Sequence, residues 1–434
     1  MTMRISYRIA LRVITTFLTI CIAACQPPPT RVSTMPFEST QITVGSQPST
    51  AGIPLPTVAV KTLTPADSPT AQVYAGQARL IAPVEVLVSD RVTGLQPAAD
   101  GGVWLITDQE VARLHDGTVE VYLSEMIGKP AGIDSAGKVW IASEDGTQIS
   151  AWHGRGWGVF NGEAGWLPLD EWSNGYVNMA HGGMQNGVWF GTPQDVRVFG
   201  GISWSVYTPE QMGMKPPVDT ELRRDFKVLC AHDDSVWVVG CDWGGPGPFG
   251  GGGVRWYADG EWHGKHTPTA SGCASAIAEG ETGNIWVGVN SSLWLYEAAS
   301  DLWTEFPAPE VPVPDMRFGY IESLSADPGG DTWAVYALCG GASCFGLRAL
   351  YHLYDSQWHQ VGNPAEYSNS TWGLLIDPSG TGWLAWSGGV YRLKTDSLEL
   401  AAPLESTFGA CDSGSRLWFV AAHEGADALW VIED

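Results

Sequence analysis

The segment "GNIWVGVNSSLWLYEAASDLWTEF" (residues 283–306) holds three tryptophans in 24 residues, Trp286, Trp294 and Trp303, and little that could act as a catalyst. It reads as a strand carrying Trp286, a second strand in "LWLYE", a tight turn, and an outer strand in "DLWTEF". The same phrase, degraded, recurs along the chain. Aligned on hydrophobic–Trp it gives "GGVW" (Trp104), "GKVW" (Trp140), "NGVW" (Trp189), "DSVW" (Trp237), "GNIW" (Trp286), "GDTW" (Trp333), "GTGW" (Trp383) and "SRLW" (Trp418). The spacings are 36, 49, 48, 49, 47, 50 and 35 residues. A period in this range with several short strands per unit indicates a propeller or a similar array.

Each unit opens with a short segment ending in an Asp–Gly-type turn, as in "DSAGKVW", "DPGGDTW" and "DPSGTGW". That makes four strands per unit, a four-stranded blade. Blades pack face to face around an axis, so both faces are buried and the gap between them widens outward. Tryptophan fills such a wedge with the largest buried area per residue, and its indole N–H needs only one partner. The final "ALWVIED" reads as a third strand with no fourth behind it. "RLIAP" (79–83) matches the outer-strand segment "LELAAP" (398–403), so it is expected to complete the last blade. The expected fold is all-β: a β-propeller of eight four-stranded blades, with seven as the alternative, closed by the N-terminal strand.

Composition agrees. Hydrophobic residues at 44% suffice for a full core, and 53 glycines with 28 prolines imply many short strands and tight connections. Arg4, Arg8 and Arg12 precede the apolar run "VITTFLTICIAA" (13–24), whose twelve residues are too few to span a bilayer and read as a signal peptide. Ile22-Ala23-Ala24-Cys25 resembles the lipobox of bacterial lipoproteins, which implies a lipid on Cys25. Gln26 in place of Asp points away from inner-membrane retention where a cell has two membranes. Residues 25–76 are Pro/Ser/Thr-rich and read as the lipidated cysteine with a disordered tether, leaving 77–434 as the propeller. Without the signal, 20 basic residues face 47 acidic ones. That surface excludes nucleic acid as a partner and disfavours anionic lipid, so the anchor alone must hold the protein, a monomer, at the membrane. The expected location is exported, facing outside the cytoplasm.

The phrase "D..G.(V/I)W.G......(L/V).(L/R)(Y/F)" with its outer-strand Trp resembles the two-component regulator propeller repeat over about residues 78–434. That family is known from extracellular sensor regions of hybrid histidine kinases and from freestanding exported proteins, which implies a sensor or scaffold role. The chain departs from the kinases in having no second membrane span, sandwich domain or kinase. The eight-bladed lipoprotein scaffold of outer-membrane assembly is a second likeness, though its Ala-x-Asp-x-x-Thr-Gly-x-x-x-Trp signature is not met. "SADPGGDTW" (325–333) comes near the sialidase Asp-box but carries an extra residue.

In a four-stranded blade the turns after strands one and three share one face, and those here are short. The other face collects the long segments 161–178, 208–226, 242–253, 305–319 and 338–346, so a ligand is expected there. "CDWGGPGPFGGGG" (241–253) lacks the Gly-Lys-Ser/Thr of a phosphate loop and reads as a solvent loop or a lid presenting Trp243 and Phe249. Arg223 and Arg224 beside it are candidates to grip an acidic group, or simply offset local acids. His181 and His232, near first strands lining the axial channel, are candidate ligand contacts. With Glu322 they would form an acid–base group if the protein were an enzyme, as in the propeller lyase that opens streptogramin rings. No metal-ligand spacing such as His-Glu-x-x-His occurs, and no cofactor is expected. Cys230 with Cys241, and Cys339 with Cys344, are the disulfide candidates, while Cys273 and Cys411 have no obvious partners. The expected function is binding of a carbohydrate or protein; the alternatives are a lyase or glycan hydrolase, and an assembly scaffold.

Overall fold

Residues 283–306 form three antiparallel strands, Ile285–Val289, Ser292–Glu297 and Leu302–Phe306, behind a first strand Ala274–Glu279. Trp286 stands opposite Leu295, and Tyr296 opposite Trp303. Asn290, at the tip of the first hairpin, has φ of 53°, a left-handed conformation that Asn tolerates better than most residues. The same device recurs between third and fourth strands. Asp116-Gly117 and Asp259-Gly260 each place two successive residues at positive φ, the backbone that two-residue hairpins of right-handed twist require.

The structure, a computed structural model, describes residues 58–62 and, from 74 to 433, all but a set of intervening residues, among them 162–177, 216–222, 245–246, 265–271 and 341–346. The described residues belong to one compact unit, Val44–Asp434. They form antiparallel sheets of four strands, two of them extended to five, each carrying one repeat tryptophan on its second strand. The fold is all-β and propeller-like, with one helical turn among the described residues, at Val84–Leu87. First strands follow one another in space: Val92–Pro97 touches Gly128–Ile133, and the contacts run sheet by sheet to Ser406–Cys411, which touches Val92–Pro97. Ala78–Pro83 pairs with Ala426–Ile432, setting Leu80 opposite Trp430.

Inside the expected tether, Val58–Thr62 departs from the expectation: it pairs with Thr118–Leu123 and adds a fifth strand to the Trp104 sheet. An outer strand presents unpaired N–H and C=O groups that accept any extended segment, whatever its composition. The signal segment and Cys25 lie outside the described residues.

The eight repeat tryptophans are all buried, none more than 6% exposed. They pack across sheets rather than toward solvent. Trp237 stacks on Trp256 at 4.9 Å and meets Tyr296 and Trp303 of the next sheet at 5.1 and 6.1 Å. The core thus consists of clusters shared by neighbouring sheets, one joining Val239 and Val254 to Ile285 and Val287. The tryptophans of 283–306 serve architecture.

Candidate functional site

The glycine-rich stretch 241–253 is not a loop but the far end of a long hairpin. Val236–Gly244 and Gly247–Ala258 pair out to Gly244 opposite Gly247. Its glycines answer to what lies beneath. Arg224, on the first strand Arg223–Cys230, is buried and donates from Nε and Nη2 to the two Asp242 oxygens at 2.5 and 2.9 Å. Its Nη1 donates to the Lys215 carbonyl at 2.6 Å. Gly251 and Gly252 have φ of +81° and +84°; a Cβ on Gly251 would lie 2.2 Å from Asp242 Oδ2, and one on Gly252 2.2 Å from the Gly240 carbonyl. Only glycine lets the backbone turn left-handed and close over the ion pair. Of the two expectations for Arg224, the structure shows the offset of a local acid rather than a free grip on a ligand: its donors are committed internally. Arg223 pairs through its backbone with Trp243, and the side chains of Arg223, Trp243 and Phe249 lie outside the described residues.

Two of the nominated acid–base residues, His232 and Glu322, have separate partners. His232 sits in the short turn after its strand, 66% exposed, with Nδ1 2.7 Å from Glu279 Oε1 and its backbone N–H donating to the same oxygen at 3.0 Å. The Glu279 carboxylate, by hydrogen bond and charge, raises the imidazole pKa. Glu322 accepts from Arg348 Nε and, at 3.2 Å, from Arg348 Nη2. His181 ends the strand Asn178–His181 opposite Val188, and its side chain lies outside the described residues. On the first strand of the Trp237 sheet, burial lowers the pKa of Lys227, while Asp225 and Glu322 oppose that shift.

The first disulfide expectation is corrected: Cys241 bonds Cys273, with Cα atoms 4.3 Å apart, and Cys230 is a free thiol, as is Cys411. Register is the reason. Cys230 stands opposite Val236, whereas Cys241 stands opposite Asp225. Five strand residues span about 17 Å, far beyond disulfide reach. Cys339 is disulfide-bonded, and Cys344 lies outside the described residues.

A cleft of about 310 Å³ opens between the Trp333 and Trp383 sheets, on the face of the short turns. One wall carries Asp327 and Asp331, from the turn between Arg317–Ala326 and Thr332–Cys339, and His352 of Leu347–Tyr354. Thr381, Arg392 and Lys394 line the other. Potential ligand atoms of Asp327, Asp331 and His352 lie within 4.8 Å of one another. His352 stacks on Trp333 with 3.9 Å between centroids and 5° between planes, and its Nδ1 lies 2.8 Å from the Thr395 carbonyl. Burial and the Asp327 charge raise the Asp331 pKa; His352 opposes and Asp355 adds to the rise. Sequence reading passed over this group. Both aspartates stand in "SADPGGDTW", but only strand register brings His352 opposite Trp333.

No protein-family model and no curated protein matches the chain. Among solved structures it is similar to catalytically inactive virginiamycin B lyase from Staphylococcus aureus with quinupristin, at 14% identity and a TM-score of 0.42, over 87% of this chain and 99% of that one. It is also similar to the extracellular domains of two hybrid two-component systems from B. thetaiotaomicron. One shows 13% identity and a TM-score of 0.37, over 76% of this chain and 50% of that one. The other shows 13% identity and a TM-score of 0.36, over 86% of this chain and 54% of that one. The chain thus spans about half the length of those two domains.

Proposed function

We propose that this chain is an exported, lipid-anchored β-propeller that binds a carbohydrate or protein and does not turn it over. The observation that carries this reading is the separate engagement of His232 by Glu279 and of Glu322 by Arg348. A joint acid–base group would need these residues gathered at one substrate, whereas His232 and Glu322 are paired with different residues. In this reading the propeller has eight blades and Ala78–Pro83 completes the last. The succession of first-strand contacts and the pairing of Leu80 with Trp430 support it. The anchor is a lipid on Cys25, with the Pro/Ser/Thr-rich stretch behind it as spacer.

Glycan-array binding by the mature protein, run beside lyase and glycosidase screens, tests the reading. Saturable binding without turnover is the expected result. Turnover that disappears in His232→Ala or His181→Ala would overturn it. The anchor is tested separately: Cys25→Ser should move the protein from the membrane pellet to the soluble exported fraction, and continued sedimentation would exclude lipid as the anchor.

A further inference from the structure

We propose that Asp327, Asp331 and His352 bind a divalent transition-metal ion of the zinc class at the cleft between the Trp333 and Trp383 sheets. The proposal is independent of the ligand-binding reading above.

It starts from His352, which is 3% exposed. The Thr395 carbonyl, 2.8 Å from Nδ1, can only accept, so Nδ1 carries a proton. Among the described residues Nε2 is buried without a hydrogen-bond partner, and the nearest Asp331 oxygen is 3.8 Å away. In the neutral ring that nitrogen is a lone pair facing a carboxylate. In the imidazolium it is a donor too far from its acceptor for a hydrogen bond. Either way a buried nitrogen lacks a partner, which is unfavourable unless something else fills the gap. A cation bound by the lone pair and the carboxylates resolves both difficulties. The Nδ1–H bond to a carbonyl is also the usual second support of a metal-ligating histidine.

Related turns show what this one has exchanged. In the Trp383 sheet, Asp377 Oδ1 accepts the N–H groups of Ser379 and Thr381, and Oδ2 accepts the Trp383 indole N–H. In the Trp418 sheet, Asp412 does the same for Gly414, Arg416 and Trp418, and Arg416 Nε neutralises it at 2.7 Å. The position four residues after the turn aspartate is thus Thr381 or Arg416, but Asp331 beside Asp327. Opposite the tryptophan, Arg392 lies over Trp383 at 4.9 Å, where the Trp333 sheet presents His352. An acid stands where the related turns have a threonine or an arginine, and an imidazole stands where the Trp383 sheet has a guanidinium. Lys394 is occupied by Glu399 at 3.2 Å.

The donor set selects the ion. Calcium takes six to eight oxygens, whereas imidazole with carboxylates suits zinc and its neighbours. Two ligands about 2.0–2.2 Å from zinc at the tetrahedral angle stand about 3.3–3.6 Å apart, slightly inside the present Nε2–Oδ2 separation. Three protein ligands leave at least one position open toward the cleft.

The test uses the full-length protein, extracted in detergent and freed of metal by chelation. Titration calorimetry with Zn²⁺ should show one site, lost or weakened at least tenfold in Asp331→Asn and in His352→Phe, which keeps a ring against Trp333. The Asp331 side chain is 43% exposed, so its isosteric variant keeps the fold, and equal metal-free melting temperatures check this. X-ray absorption should show imidazole nitrogen and oxygens around zinc, without sulfur. No uptake by the unmodified protein, equal uptake by Asp331→Asn, preference for Ca²⁺, or sulfur in the shell would overturn the proposal.

Discussion

Arg224 and Asp242 meet in near-complete burial, their side chains 2% and 1% exposed, on adjacent strands and directly opposite in register. A buried ion pair is weak evidence for stability, because desolvating both charges offsets much of their attraction. Breaking one is different. Arg224→Met should cost about 3–5 kcal/mol by leaving a buried carboxylate uncompensated, while Arg224→Met/Asp242→Leu should cost less than the single change. Denaturant unfolding of the two variants decides this, and a double variant no better than the single would refute it. Gly251→Ala should fail alongside Arg224→Met, since the added methyl would displace Asp242.

The disulfide gives a second measurement. Cys241 and Cys273 close a loop of 32 residues, for which the chain-entropy relation gives about 3–4 kcal/mol. Peptide mapping without reduction should recover the Cys241–Cys273 pair and leave Cys230 open to alkylation after unfolding. Cys273→Ser should lower the melting temperature, and Cys230→Ser should change it little. A Cys230–Cys241 peptide would contradict the register described.

Closure of the last sheet is tested by two truncations. Deleting the chain through residue 57 removes nothing that the described strands use. Deleting on through residue 88 removes Val58–Thr62 and Ala78–Pro83, exposing the edge beside Trp430. Leu80, 4% exposed, alone stands for about 1.5–3 kcal/mol of burial, so the longer deletion should melt much earlier. A third truncation, through residue 76, removes Val58–Thr62 and Tyr74–Ala75 and leaves Ala78–Pro83 in place. Equal melting for deletions through 76 and 88 would mean that Ala78–Pro83 contributes no stabilising closure.

His232 and Glu279 supply a pH-dependent contact. The carboxylate raises the imidazole pKa in the folded protein, so the stabilisation is fully present below the unfolded value of about 6.5. It is lost as pH rises through the higher folded value. An NMR titration of His232 should give a midpoint above about 6.5 that returns toward it in Glu279→Gln. An unchanged midpoint in that variant would show that the contact does not form in solution. Because His232 is largely exposed, added salt should weaken the shift.

What the sequence determined by itself was local and periodic. The Trp spacing, the four-strand pattern, the Asp-Gly turns and the apolar second strands were legible because a strand's burial pattern and a hairpin's positive φ depend on a few adjacent residues. The match of residues 79–83 to an outer strand was legible for the same reason, as one unit reappearing out of order. Tertiary structure decided what each polar side chain meets. Cys241 prefers Cys273 of the next sheet to Cys230 of its own hairpin because register separates the latter pair by five positions. Arg224, legible only as a cation that would grip a ligand or offset local acids, is sealed under glycines, and a Cβ on Gly251 would meet Asp242 beneath it. Asp331 and His352 are 21 residues apart and carry no metal-binding spacing, yet the register that sets His352 opposite Trp333 turns a short turn's two carboxylates toward one unpaired nitrogen. Hydrophobic periodicity survives one-residue uncertainty in pairing poorly but is repeated many times; a polar contact depends on a single register, and only the folded chain supplies it.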